Sequence, residues 1–151
     1  MTTADAGDPQ DGVFTDGSAT PNPGPGGWAA VRVEGGVVLD ERSGADPDTT
    51  NNRMELTALL AAVDLAPVGV PCVLWSDSQL AVRTVNEWAP AWEARGWRRK
   101  AGPVENLDLV RPLVEVLRTR PELELRWIRA HAGHRWNEYA DRLAAAASAA
   151  R

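Results

Sequence analysis

Pro71-Cys72-Val73-Leu74-Trp75-Ser76-Asp77 is a compact apolar run closed by a proline at one end and an acid at the other. A run of this length suits a buried strand that feeds a helix, with Asp77 as the helix N-cap. Just upstream, Leu56, Leu59, Leu60 and Val63 recur at helical spacing, with Thr49 or Thr50 as N-cap and Pro67 beyond the end. Further upstream, residues 26–44, GGWAAVRVEGGVVLDERSG, read as two strands around a turn at Gly35-Gly36, and Val13-Phe14-Thr15 supplies another. The chain is thus expected to open with three antiparallel strands, then cross over through the first helix to the strand at 71–76. Downstream, residues 78–100 look helical with breaks at Pro90 and Gly96, and Leu107, Val110, Val114 and Leu117 mark an amphipathic helix. Leu123, Leu125 and Trp127 alternate with Glu122, Glu124 and Arg126 as a half-buried strand, and an Ala-rich helix starts at about Arg135. This order predicts an α/β (α+β) domain, a mixed sheet with helices packed on it.

Composition sets bounds. The 151 residues suit one ordinary domain, and 44% apolar with 25% charged residues excludes a wholly disordered or collagen-like chain. The first ten residues, MTTADAGDPQ, are read as a disordered N-terminal tail and 11–151 as the domain. They lack the basic start and apolar run of a signal peptide, no stretch suggests a membrane span, and Cys72 alone excludes an intrachain disulfide and a Cys-rich zinc site. A cytoplasmic protein is expected. The net charge of −5 argues against strong nonspecific attraction to nucleic acid, so any such contact must be local, with Arg95, Arg98, Arg99 and Lys100 as the candidate patch.

Four acids stand out. Asp16 follows a strand-like Phe14-Thr15 and precedes a Gly- and Pro-dense loop that would let backbone approach a ligand closely. Glu55 lies on the first helix, Asp77 closes the apolar strand, and Asp141 sits on the last helix among Ala and Leu. Alone, each has a plain structural reading: a turn Asp, a surface Glu, a helix cap, a solvent-facing helix residue. Together their surroundings say more: FTDGS (14–18) with NPGPGG (22–27), TNNRMEL (50–56), SDSQ (76–79) and HAGHRWNEYADRLA (131–144).

These strings, in this order and at this spacing, resemble those of the type 1 ribonucleases H, and the resemblance spans about residues 11–145. It implies the ribonuclease H-like fold, a five-stranded mixed sheet flanked by helices, and an endonuclease that hydrolyses the RNA strand of RNA·DNA hybrids. It also implies Asp16, Glu55, Asp77 and Asp141 as metal-binding carboxylates, with His131 moving protons or assisting product release. Clustered acids repel one another, which bound cations relieve, and oxygen-only ligands favour Mg²⁺ or Mn²⁺. The resemblance further implies two such ions and products with 5′-phosphate and 3′-hydroxyl ends. No small-molecule cofactor is implied, and a monomer is expected.

For the hybrid, the resemblance places Gly17, Ser18, Asn22, Asn52 and Gln79 near the minor groove, where short donors and acceptors can read the 2′-hydroxyl. Thr50 and Asn106 would form a phosphate pocket for the DNA strand, with Trp88 and Trp92 as an aromatic surface beside it. Most of the seven tryptophans are better placed in the core, Trp28, Trp75 and Trp127 falling on strand patterns. The chain also departs from the family pattern. Glu93, Ala94, Glu105 and Asp48 stand where many members carry Lys or Arg, which implies weaker, more salt-limited binding. The alternatives are another nuclease of the same broad fold or a noncatalytic hybrid-binding module.

Overall fold

The computed structural model describes residues 7–130 and 132–150. Strands β1 (Gly12–Ala19), β2 (Gly24–Glu34), β3 (Val37–Thr49), β4 (Cys72–Ser76) and β7 (Leu123–Trp127) form one sheet in the order β3-β2-β1-β4-β7. β1, β2 and β3 pair antiparallel, whereas β4 pairs parallel with both β1 and β7, so the sheet is mixed as expected. The β2–β3 turn is the Gly35-Gly36 pair, with φ of 55° and 74°, a conformation that costs little without Cβ.

Side-chain alternation builds two cores. Val13, Ala30, Leu74 and Leu125 point to one face, where they meet α1 (Asn51–Leu65) and α4 (Leu107–Arg118). Their neighbours Phe14, Val31 and Trp75 point to the other face, against Trp136 and Ala140 of α5 (Arg135–Ala149). The result is a three-layer arrangement, helix on sheet on helix, of the kind a mixed sheet with both faces apolar requires. Trp75, Trp97 and Trp136 are buried, while Trp28, Trp88, Trp92 and Trp127 are half-buried. Among the described residues no helix is long and apolar enough to cross a membrane.

Three local features differ from the sequence reading. Ser78, not Asp77, caps α2 (Gln79–Arg83): its side chain accepts from the Ala81 N–H at 3.0 Å. Pro90 does not break the helix that follows. The helix widens into a π turn over Thr84–Trp88, where the Ala89 N–H reaches the Thr84 carbonyl, before α3 (Ala89–Ala94) continues. A proline cannot donate and its ring clashes with the carbonyl four residues back, and the wider turn accommodates both. The break falls at Gly96, with φ of 71°, ahead of a small ribbon of β5 (Arg98–Arg99) and β6 (Gly102–Pro103). Of the expected tail 1–10, residues 1–6 lie outside the described residues. Asp8 and Gln10, by contrast, are hydrogen-bonded to the start of α5.

Candidate active site

Because β1, β4 and β7 are mutually parallel, their carboxyl ends open at one end of the sheet. Asp16 lies near that end of β1 and Asp77 follows the last residue of β4. Glu55 arrives from the second turn of α1, which is anchored by its Thr50 cap: the Thr50 hydroxyl accepts from the Arg53 N–H at 3.1 Å. A Cβ on residue 17 would stand 2.3 Å from the Met54 carbonyl carbon, so only glycine lets α1 lie this close to β1. That approach allows the Gly17 N–H to donate to Glu55 Oε1 at 2.8 Å. Ser76, fully buried, donates to Glu55 Oε2 at 3.2 Å and accepts from the Ser78 N–H at 3.1 Å. Asn137, buried on α5, donates from Nδ2 to Asp77 Oδ2 at 3.1 Å.

One carboxylate oxygen from each of Asp16, Glu55 and Asp77 lies within 4.8 Å of the other two. Asp141, exposed on α5, stands outside this group of three, and its side chain acts on the Asp16 carboxyl and helps hold it up. Burial, then the negative charges of Glu55 and Asp77, hold the Asp16 carboxyl far above the usual carboxylate range. Burial and the charge of Asp77 also push Glu55 up, against partial relief from hydrogen bonds given by Asp16, Gly17 and Ser76. Neither Asp16 nor Glu55 forms an ion pair with Lys or Arg among the described residues. Two like charges about 4 Å apart repel by roughly 4 kcal/mol at an effective dielectric near 20. Such a cluster is unfavourable by itself, and an oxygen-only, partly open donor set fits Mg²⁺ or Mn²⁺.

A trough leads away from the acids. Its near part, about 680 Å³, is lined by Asn22, Thr50, Asn52, Glu55 and Asn106. Its far part, about 580 Å³, shares Asn52, Leu80 and Glu105 with the first and continues to Trp88, Trp92, Arg95, Arg99 and Lys100. Several of the polar groups are already engaged. Asn22 Oδ1 accepts from the Asn51 N–H at 3.1 Å, and Asn106 Oδ1 accepts from Arg53 Nη1 at 3.2 Å. Arg53 also forks onto Asp108 at 3.0 and 2.8 Å. Asn52 Oδ1 is different: it is buried and accepts from nothing among the described residues. Trp88 and Trp92 face each other with ring centroids 6.3 Å apart, and the Arg83 guanidinium lies 5.0 Å over Trp88. Ser18 and Gln79 are exposed, each beside or near one of the acids in sequence. Two of the acids noted in place of basic residues lie beside arginines: Glu105 stands 3.8 Å from Arg99, and Glu93 pairs with Arg118.

His131 lies outside the described residues. The sequence reading missed Ser76, Asn137 and Arg53. Asn137 had a signal, because it stands four residues before Asp141 and shares its helix face. The contact of Ser76 with Glu55 depends on tertiary packing alone.

This sheet order, with acids brought from β1, α1 and the end of β4 to one point, defines the ribonuclease H-like class of α/β folds. A family profile described as RNase H matches residues 9–149, and the chain belongs to the ribonuclease H family. It is 47% identical over 132 residues to Ribonuclease H of Methylorubrum extorquens, covering 87% of this chain and 57% of that protein. It is likewise 47% identical over 133 residues to Ribonuclease H of Granulibacter bethesdensis, covering 87% of each. The chain thus spans little more than half the length of the first relative and most of the second. A solved structure of LC11-RNase H1 in complex with RNA/DNA hybrid superposes with a TM-score of 0.71 at 27% identity, over 91% of this chain and 96% of that one.

Proposed function

We propose that this chain is an endonuclease that hydrolyses the RNA strand of RNA·DNA hybrids. Asp16, Glu55, Asp77 and Asp141 hold Mg²⁺, two ions per site during catalysis, with Mn²⁺ able to substitute. Bound there, the ions would supply activation of a water on one side of the phosphodiester and charge stabilisation for the departing 3′ oxygen on the other, consistent with 5′-phosphate and 3′-hydroxyl ends. The observation that carries this reading is the gathering of two buried acids and a half-buried one at the head of a trough, the two buried ones without a Lys or Arg partner among the described residues. The family match and the hybrid-bound neighbour support it.

The chain's own groups have distinct work. Gly17 N–H and Ser76 Oγ fix the rotamer of Glu55, and Asn137 fixes that of Asp77, so the oxygens converge without reorganising when cations bind. Asn52, with its unused buried acceptor in both parts of the trough, suits a donor such as a 2′-hydroxyl or a base amino group in a shallow minor groove. Gly17, Ser18, Asn22 and Gln79 flank that groove. Thr50 and Asn106 receive a phosphate of the DNA strand, and Trp88 with Trp92 packs against its sugars and bases. His131 moves a proton or speeds product release. Incubation with labelled RNA·DNA hybrid, duplex RNA, duplex DNA and single strands, with and without Mg²⁺, tests the proposal. Cleavage confined to the RNA of the hybrid and requiring the metal is expected; an intact hybrid in the presence of Mg²⁺ overturns it.

A further inference from the structure

Asp8, Pro9 and Gln10 precede the sheet, and Asp8 lies ahead of the segment that matches the family profile. They are nonetheless fastened at two places. The Gly36 N–H, in the β2–β3 turn, donates to the Gln10 carbonyl at 3.0 Å. At the other end, Asp8 Oδ1 accepts from the Arg135 N–H at 3.1 Å and stands 3.7 Å from His134 Nδ1, while Gln10 Oε1 accepts from the Trp136 indole N–H at 2.9 Å. Gln10 Nε2 also donates to the Asp8 carbonyl at 3.1 Å, which ties the two attachments together.

The first-turn N–H groups of a helix have no partner within it, and an acceptor or a negative charge there is stabilising. His134, which precedes α5, makes no side-chain cap hydrogen bond. Asp8 fills that role from 127 positions away in the chain. The turn it caps is the one that addresses the acids: Asn137, next after Trp136, donates to Asp77, and Asp141, one turn on, meets Asp16.

We infer that Asp8 and Gln10 are positioning residues, a strap that holds the first turn of α5 in the register at which Asn137 and Asp141 meet the acid cluster, and so sets its affinity for divalent cations. The inference rests on the metal reading above and adds to it a segment at the amino-terminal edge of the family match, with Asp8 just outside it. Loss of the strap lets the first turn of α5 fray. Asn137 then orders Asp77 for a smaller fraction of the time, and cation affinity falls with it.

The test is Mn²⁺ binding to the full chain by calorimetric titration well below the melting temperature. It compares wild type with Asp8→Ala, Asp8→Asn, Gln10→Ala and Arg120→Ala. A lost cap acceptor, if its effect is passed on, corresponds to a drop in affinity of about threefold to tenfold for Asp8→Ala. Gln10→Ala is expected to show a smaller drop, and Asp8→Asn, which keeps the acceptor oxygen, to bind within about twofold of wild type. Arg120 braces the opposite end of the sheet, so Arg120→Ala is expected to lower the melting temperature with Mn²⁺ affinity unchanged. Folded Asp8→Ala and Gln10→Ala proteins that bind Mn²⁺ as wild type does overturn the strap and leave the metal site standing. So does an equal loss in Arg120→Ala, which would mark general loosening. Failure of wild type to bind Mn²⁺ overturns the metal reading and the strap with it. If Asp8→Ala does not fold, Gln10→Ala is read by the same criteria.

Discussion

The two ends of the parallel strands use acidic residues in opposite ways. At the amino ends of β4 and β7 three glutamates stand beside arginines: Glu122 with Arg120 at 2.6 Å, Glu124 with Arg126 at 2.6 Å, and Glu34 with Arg32 at 3.0 Å. The Arg120 guanidinium holds the Glu122 carboxyl down to about 2. At the carboxyl ends, Asp16 and Glu55 are buried among other acids, and both are pushed up. Arginines stand along the trough as well, yet among the described residues none pairs with Asp16 or Glu55. Paired acids neutralise one another's charge and brace the fold, whereas the gathered acids leave a charge deficit for something from outside to fill.

Breaking the unneutralised end has the largest expected effect. If Asp77 holds metal as proposed, Asp77→Asn removes a ligand that supports several kcal/mol of transition-state stabilisation, and is expected to lower the cleavage rate about a thousandfold or more at about 1.4 kcal/mol per tenfold. The same protein should still bind hybrid, because the trough from Asn52 to Trp92 is untouched. Single-turnover cleavage alongside a binding titration measures both, and near wild-type turnover would sink the metal assignment.

Breaking the paired end should cost stability and leave chemistry alone. Arg120 donates to the Val63, Ala66 and Pro67 carbonyls at 3.3, 3.3 and 3.1 Å, closing the end of α1 against the turn before β7. Arg120→Ala is expected to destabilise the protein by about 2 kcal/mol, or about 4 to 8 °C in melting temperature for a domain of this size. Cleavage by the folded fraction should be unchanged, and thermal denaturation with an activity assay at low temperature checks both halves.

The smallest effect sharpens the contrast through pH. Asp16 has its folded pKa raised above the unfolded value, so the folded metal-free protein binds more protons than the unfolded chain as soon as pH exceeds the ordinary carboxylate range. Its contribution is fully present below that range and is lost as pH rises toward the raised value. Asp16→Asn removes the liability. The metal-free variant is therefore expected to melt above metal-free wild type by about 2 to 4 °C for each kcal/mol relieved, with a gap that widens from pH 5 to pH 8. Mg²⁺ should close or reverse the gap, because only wild type keeps the full ligand set. A constant gap across that range, indifferent to Mg²⁺, would show that charge repulsion is not what separates the two proteins.

Much of this was legible in the chain because the signals were local. The Gly35-Gly36 turn, the Thr50 cap and the strand ending at Ser76 each depend on residues adjacent in sequence, and each stands where expected. The pairing of Trp88 with Trp92 was also readable, as two rings one turn apart. The errors share another character. Asp77 looks like a helix cap by position, but its carboxylate receives Asn137 from 60 residues away, and Ser78 next door does the capping. The composition of MTTADAGDPQ likewise gives no sign that Asp8 and Gln10 bond to a helix at the far end of the chain.

The amino-acid sequence by itself determined the order of the main strands and helices, a mixed sheet with helices packed on it, and, through the family resemblance, which four acids to watch. The element order is a property of neighbours along the chain, where periodicity and backbone chemistry act directly, whereas the acids were singled out by the resemblance of their surrounding strings. Only the tertiary structure decided that Asp16, Glu55 and Asp77 share one point, that Gly17 and Ser76 orient one of them and Asn137 another, and that Asp8 secures the helix carrying Asn137. Those relations join residues tens of positions apart. They exist only once the burial of two apolar faces has brought the carboxyl ends of β1 and β4 between α1 and α5.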